Sequence, residues 1–234
     1  MGTQDNQLTD QAIHWVKENQ KQIVTHFAGQ FEPAPEVPVS IFMAGSPGAG
    51  KTEFSKRLIE HFEDHSKYII RIDPDEVREF IPCYVHGQAH LFQGAVSIAV
   101  EKIHDHALAK RKSFLLDGTF SNPVKARDNI KRSIDKNRAV LIEYVYQDPF
   151  VAWDFTQKRE QIEGRNIPKE AFVDQLFLAR DNVMMIKKEF GHHVILEVVT
   201  RNVRTSEYQY WFNVDNIDSY IKMGYSKNEL MQKL

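Results

Sequence analysis

Gly45-Ser46-Pro47-Gly48-Ala49-Gly50-Lys51-Thr52 follows the apolar run Val39-Ser40-Ile41-Phe42-Met43-Ala44 and opens a helical pattern through Phe54, Leu58 and Ile59. Every fixed position of G-x-x-x-x-G-K-[ST] is filled, with a strand before and a helix after, the context the motif requires. The glycines let consecutive backbone N–H groups curl around phosphate oxygens at a helix N-terminus, whose partial positive charge favours an anion. Lys51 is expected at the β- and γ-phosphates of ATP, and the Thr52 hydroxyl on Mg²⁺. A Gly-rich turn that merely opens a helix is the bland alternative.

Outward from this loop the same theme recurs. KYIIRID, KSFLLDG, RAVLIEYVY and HVILEVV are short apolar segments, separated by helical patterns at about 75–80, 91–112, 123–136, 148–163 and 169–190. Buried strands alternating with helices predict an α/β fold with three layers, doubly wound around a mainly parallel sheet. Upstream, Ile13, Val16, Ile23, Val24 and Phe27 give an amphipathic helix over about 9–28, and FEPAPEVP places three prolines in a short extended linker at 31–38. Downstream, NIDSYIKMG and YSKNELMQKL read as two short helices parted by Gly224, with Ser226 and Glu229 at capping-box spacing. No internal repeat and no low-complexity tract divides the chain, so a single domain over 1–234 is expected.

Composition narrows the function. Thirty Lys and Arg against 32 Asp and Glu leave a formal charge of −2, which supplies no general attraction for nucleic acid or an anionic membrane. A hydrophobic share of 42% is enough for a packed core and excludes extended disorder. Cys83 is the single cysteine, so neither a disulfide framework nor a Cys-based metal site is available. The first thirty residues lack the apolar core of a signal peptide, and the expectation is a cytoplasmic protein. His86 and His90 have i, i+4 spacing, yet no H-E-x-x-H motif accompanies them.

A phosphate cradle is shared by motors, switches and kinases, so its partners must choose among them. Asp117 is followed by Gly118 rather than by the glutamate that hydrolytic ATPases use to activate water, and no N-K-x-D guanine element occurs. Asp73 and Asp75, in RIDPDEVREF, fall at the carboxyl edge of the sheet, where ligands of such folds bind; one of them also suits the N-cap of the next helix. Asp117, with Gly118 and Thr119 after it, ends another strand at that edge. Glu101 falls with Leu91, Gly94 and Ile98 on one stripe of the long helix, either meeting a ligand or pairing with a base. Arg159 and Arg165, in TQKREQIEGRNIP, occupy a lid position from which guanidinium groups reach a γ-phosphate; a solvated helix face is the other reading. Tyr208, Tyr210, Trp211 and Phe212 suit either base stacking or a terminal strand.

Taken together, AGSPGAGKT, RIDPDEVREFIPCY, a helix bearing Glu101, LLDGT and the paired arginines resemble the zeta toxin family of P-loop kinases over roughly residues 38–200. The family's I-D-x-D-x-[FL]-R with a downstream P-x-[YF] is similar to Ile72-Asp73-Pro74-Asp75-Glu76-Val77-Arg78 with Pro82-Cys83-Tyr84. The resemblance implies that Asp75 deprotonates the acceptor hydroxyl. It further implies that Asp73, Glu101, Asp117 and Thr119 hold substrate, and that Arg159 and Arg165 contact ATP phosphates. It implies UDP-N-acetylglucosamine as acceptor and a small helical antitoxin as partner. The chain departs from the family where the E-G-T strand end with a following Arg becomes Asp117-Gly118-Thr119 with Ser121, and where the segment between the arginines is shorter. A polynucleotide or nucleoside kinase, and a nucleotide-dependent binding module, are the alternative functions.

Overall fold

The computed structural model describes residues 3–62, 66–163, 166–202, 205 and 207–234. At its centre β1 (Val39–Ala44) buries all but its first residue. Phe42 and Ala44 enter one core cluster while Ile41 and Met43 enter another, so both faces of the strand are covered. A strand buried on two faces has no solvent side to mark with polar residues, which is why β1 reads as an unbroken apolar run.

The sheet runs β2 (Ile69–Ile72), β3 (Ser113–Leu116), β1, β4 (Ala139–Tyr146), β5 (Ile195–Arg201) and β6 (Tyr208–Trp211). All neighbouring strands are parallel except β5 and β6, which pair antiparallel. The connection from β1 runs to β2 on one side and that from β3 crosses to β4 on the other, and a crevice opens at that switch point. The phosphate loop sits there. The expected three-layer, doubly wound arrangement is what the chain adopts, and the aromatic run at 208–211 is the antiparallel edge strand.

The helix of the phosphate loop, α3 (Lys51–His61), covers one face of the sheet, where Phe54 packs with Ile41, Met43, Leu115, Val145 and Val199. The other face carries α5 (Gln93–Ala109), α6 (Pro123–Ile134) and α8 (Lys169–Phe190). Here too lie α1 (Thr3–Glu18) and α2 (Gln20–Ala28), whose Ala12, Val16, Ile23 and Ala28 belong to the same core cluster. A third cluster joins Ala152 of α7 (Pro149–Glu163), Phe172 and Leu176 of α8, and Leu230 of α9 (Lys227–Lys233). The short α4 (Pro74–Glu79) follows β2 at the carboxyl edge.

Three local readings of the sequence are corrected. The N-terminal amphipathic segment is two helices, broken at Asn19, whose side-chain amide and backbone N–H both donate to the Trp15 carbonyl. That carbonyl sits at the C-terminal end of α1, where the chain must turn for both helices to reach α5. The buried face of α5 is Ala95, Val96, Ala99, Ile103 and Ala107, and Glu101 is exposed. Packed between α1 and α2 on one side and the sheet on the other, α5 is buried along its small side chains. Of the two C-terminal helices only α9 forms, opened by the Ser226/Glu229 capping box, while Ile217–Ser219 makes a single 3₁₀ turn.

Candidate active site

The phosphate loop is shaped by close packing as much as by its own turns. Gly45 has φ +137° and a Cβ there would lie 2.2 Å from the Val145 carbonyl oxygen of β4. Gly48 has φ +71°, and its Cβ would meet the Ala152 carbonyl oxygen of α7 at 2.1 Å and Thr156 Oγ1 at 2.8 Å. Only glycine permits both the left-handed backbone and these approaches. The Gly45 N–H donates to the Thr119 carbonyl at 3.2 Å, tying the loop to the turn after β3. Lys51 folds back so that Nζ donates to the carbonyls of Gly45 and Ser46 at 3.1 and 2.6 Å.

Two features of this loop fit a phosphate. The Ser46 hydroxyl is buried and has no hydrogen-bond partner among the described residues, an orphaned polar atom of the kind an oxyanion satisfies. Gly50, at φ +88°, leads into an eleven-residue helix with no side-chain cap, leaving the first amides of α3 for an anion. Thr52 sits at the second residue of α3, half-buried, where its hydroxyl suits a divalent ion on that phosphate.

Around the loop the carboxyl edge gathers acids and arginines. Asp73 caps α4, its Oδ1 accepting the Asp75 N–H at 2.8 Å. Asp73 is thus the acid that caps the helix, and Asp75 follows it in the first turn. Asp75 accepts from buried Arg78 at 2.6 Å and from Arg159 of α7 at 2.9 Å. Asp117 lies just beyond β3 and accepts from the Ser55 hydroxyl of α3 and from Arg71 of β2, each at 3.0 Å. Burial, and after it the charge of Asp73, pushes the Asp117 carboxyl above its ordinary value, while Lys51, Arg71 and the Ser55 hydrogen bond oppose the shift.

Asp73, Asp75, Asp117, Lys51 and Arg159 are therefore brought to one crevice. Thr119 lies beside the loop, its hydroxyl 2.8 Å from that of Ser121. Between them Phe120 adopts φ +62°, and the Asn182 amide of α8 donates to its carbonyl at 2.9 Å. Glu101 is not joined to this group by any hydrogen bond or ion pair among the described residues. Arg165 lies outside the described residues.

Sequence reading missed Arg71, Ser55 and Asn182, and gave Arg78 a place in a motif but no role. Arg71 left a signal, since a charged residue interrupts the otherwise apolar strand Ile69-Ile70-Arg71-Ile72. Arg78 left another in its i, i+3 spacing from Asp75. Ser55 and Asn182 left none, because their roles depend on which elements pack against which.

The zeta toxin family profile matches residues 8–210. No curated protein sequence matches the chain. A solved structure from the PezAT chromosomal toxin–antitoxin system of Streptococcus pneumoniae superposes with a TM-score of 0.69 at 16% identity, over 93% of this chain and 92% of that one. The AvrRxo1-ORF1:-ORF2 complex with ATP gives 0.59 at 11% identity, over 92% of this chain and 70% of that one. A structure of the Pnkp1/Rnl/Hen1 RNA repair complex gives 0.50 at 14% identity, over 83% and 54%. At these identities the structures share a fold, and it is the family profile, covering most of the length, that places the sequence: the chain belongs to the zeta toxin family of P-loop kinases.

Proposed function

We propose that the chain is an ATP-dependent, Mg²⁺-requiring kinase that moves the γ-phosphate to a hydroxyl of a nucleotide-linked sugar, with UDP-N-acetylglucosamine as the first candidate acceptor. The observation that carries this reading is Asp75, a carboxylate at the carboxyl edge of the sheet bonded to one arginine from α4 and one from α7. A nucleotide-dependent binding module has no need of such a group, whereas transfer to an alcohol needs a positioned base and cations over the transferred phosphate.

In this reading the loop amides and Lys51 bind the phosphates, Thr52 would hold Mg²⁺, Asp117 would contact Mg²⁺ or the acceptor, and Asp75 takes the proton from the acceptor hydroxyl. Arg159 and Arg165 offset charge on the transferred group. ATP supplies the phosphoryl group, and Mg²⁺ neutralises charge on its oxygens. Asp73, Glu101 and Thr119 contact the acceptor. Residues 1–234 act as one domain in the cytoplasm, restrained by a small helical antitoxin, and the enzyme alone arrests bacterial growth.

The test is to incubate purified protein and Mg·ATP with nucleotide sugars, nucleosides and oligonucleotides, reading each for an added phosphate by mass spectrometry. Phosphorylated UDP-N-acetylglucosamine is expected, and phosphorylated oligonucleotide alone would favour the polynucleotide kinase alternative. Lys51→Ala should abolish both transfer and growth arrest while melting like wild type, since one loop cation is lost and the core is untouched. Harmless expression of soluble wild-type enzyme in cells without an antitoxin would remove the toxin role.

A further inference from the structure

The guanidinium of Arg71 joins four elements. Its Nε donates to Ser55 of α3 at 3.0 Å, Nη1 to Glu76 of α4 at 2.5 Å, and Nη2 to Asp73 at 2.5 Å and Asp117 at 3.0 Å. Only 12% of the side chain is exposed. Asp73 and Asp117 are thus two nearly buried carboxylates that share a single Nη2, and like charges this close call for a cation or a proton between them. Arg71 supplies that cation from inside the chain. Its reach also extends to Asp75, because the Asp73 carboxylate that it grips is the cap receiving the Asp75 N–H.

We infer that Arg71 is the resident cation of this site: it holds Asp73 and Asp117 in the geometry needed for phosphoryl transfer and keeps a divalent ion from settling between them in the absence of nucleotide. None of its hydrogen bonds reaches the phosphate loop, so its loss affects turnover rather than nucleotide affinity. A lysine restores the charge without the planar fork. An ammonium has three donors on one atom and cannot span Ser55, Glu76, Asp73 and Asp117 together.

This inference rests on the kinase reading above, and Arg71→Met and Arg71→Lys test it by two readouts that fail separately. Turnover is the first. Arg71→Met should lower kcat roughly a hundredfold, the scale of a misplaced catalytic group, with the KM for ATP within about threefold of wild type. The second readout needs no acceptor: Mn²⁺ binding without nucleotide, followed through the loss of the free-ion electron paramagnetic resonance signal. Wild type and Arg71→Lys should bind Mn²⁺ only when ATP is added, whereas Arg71→Met should bind it alone.

Wild-type kcat in Arg71→Met, or no nucleotide-free Mn²⁺ binding by that variant when circular dichroism shows it folded, overturns the proposal. If Arg71→Met does not fold, Arg71→Lys decides, since full wild-type turnover there overturns the need for the four-way fork. A wild-type protein that phosphorylates nothing would defeat the kinase reading, while the Mn²⁺ comparison would still judge Arg71.

Discussion

Asp75 is bracketed by Arg78 and Arg159, at 2.6 and 2.9 Å, so both of its oxygens are occupied by guanidinium donors that an acceptor hydroxyl must compete with. In the proposed reaction Arg159 must leave it for the phosphate, while Arg78, buried and fixed at i, i+3, stays to aim it. Asp75→Asn keeps the side-chain size, removes the basic group and gives up one of the two acceptor atoms. Its turnover should fall by about a hundredfold or more, and ATP titration should give a nearly unchanged affinity. Wild-type turnover would place the base elsewhere. Asp73→Asn should behave differently, since asparagine caps a helix as well as aspartate does, and the loss is that of the ion pair with Arg71. Thermal melting should then drop before nucleotide binding does. These roles were legible only in part: the acids announce themselves in RIDPDEVR, but which of them caps and which faces the crevice is fixed by three-dimensional hydrogen bonds.

At the scale of elements, α7 joins the phosphate loop to Asp75. Ala152 and Thr156 press against Gly48, and Arg159, one turn further on, reaches Asp75. Gly48→Ala therefore strains the backbone and drives a methyl group into an α7 carbonyl, which must shift α7 off the loop. ATP binding measured by titration should weaken at least tenfold, a cost of about 1.4 kcal/mol by the usual conversion, with the remote sheet core unaffected. Unchanged affinity would mean that the loop yields without moving α7. Arg159→Ala should instead spare affinity and lower kcat roughly tenfold to a thousandfold, with little rescue by Arg159→Lys, because the bidentate fork matters. Full kcat in both variants would return Arg159 to a solvated helix face. The span Lys169–Phe190 was readable to the residue, since long periodic helices declare themselves. The break at Asn19 and the buried face of α5 were not, because α5 is covered on two sides and small residues weaken its periodicity.

The whole molecule depends on a sheet whose centre hides an acid pair. Sequence shows β4 and β5 as apolar runs with one glutamate each, but that Glu143 and Glu197 stand side by side follows only from the parallel register that matches them. Both project to the face covered by α3, and Glu143 is 1% exposed with Oε2 unpartnered among the described residues. Burial first, then the charge of Glu197 and its hydrogen bond, pushes the Glu143 carboxyl from 4.5 up to about 8, and burial raises Glu197 as well. The folded chain therefore keeps a proton that the unfolded chain releases. Stability from this pair is fully present below pH 4.5, erodes as pH rises, and is lost on passing about 8. Two residues beyond Glu143, the Val145 carbonyl oxygen lies 2.2 Å from where a Gly45 Cβ would stand, so loosening β4 also loosens the phosphate loop. Glu143→Gln stays neutral at every pH and keeps an amide donor for Glu197. Its Tm relative to wild type should be distinctly higher at about pH 9 than at about pH 5, because the wild type must ionise Glu143, the more deeply buried acid, in that interval. An equal Tm difference at the two pH values would show that Glu143 is ionised in the folded protein throughout.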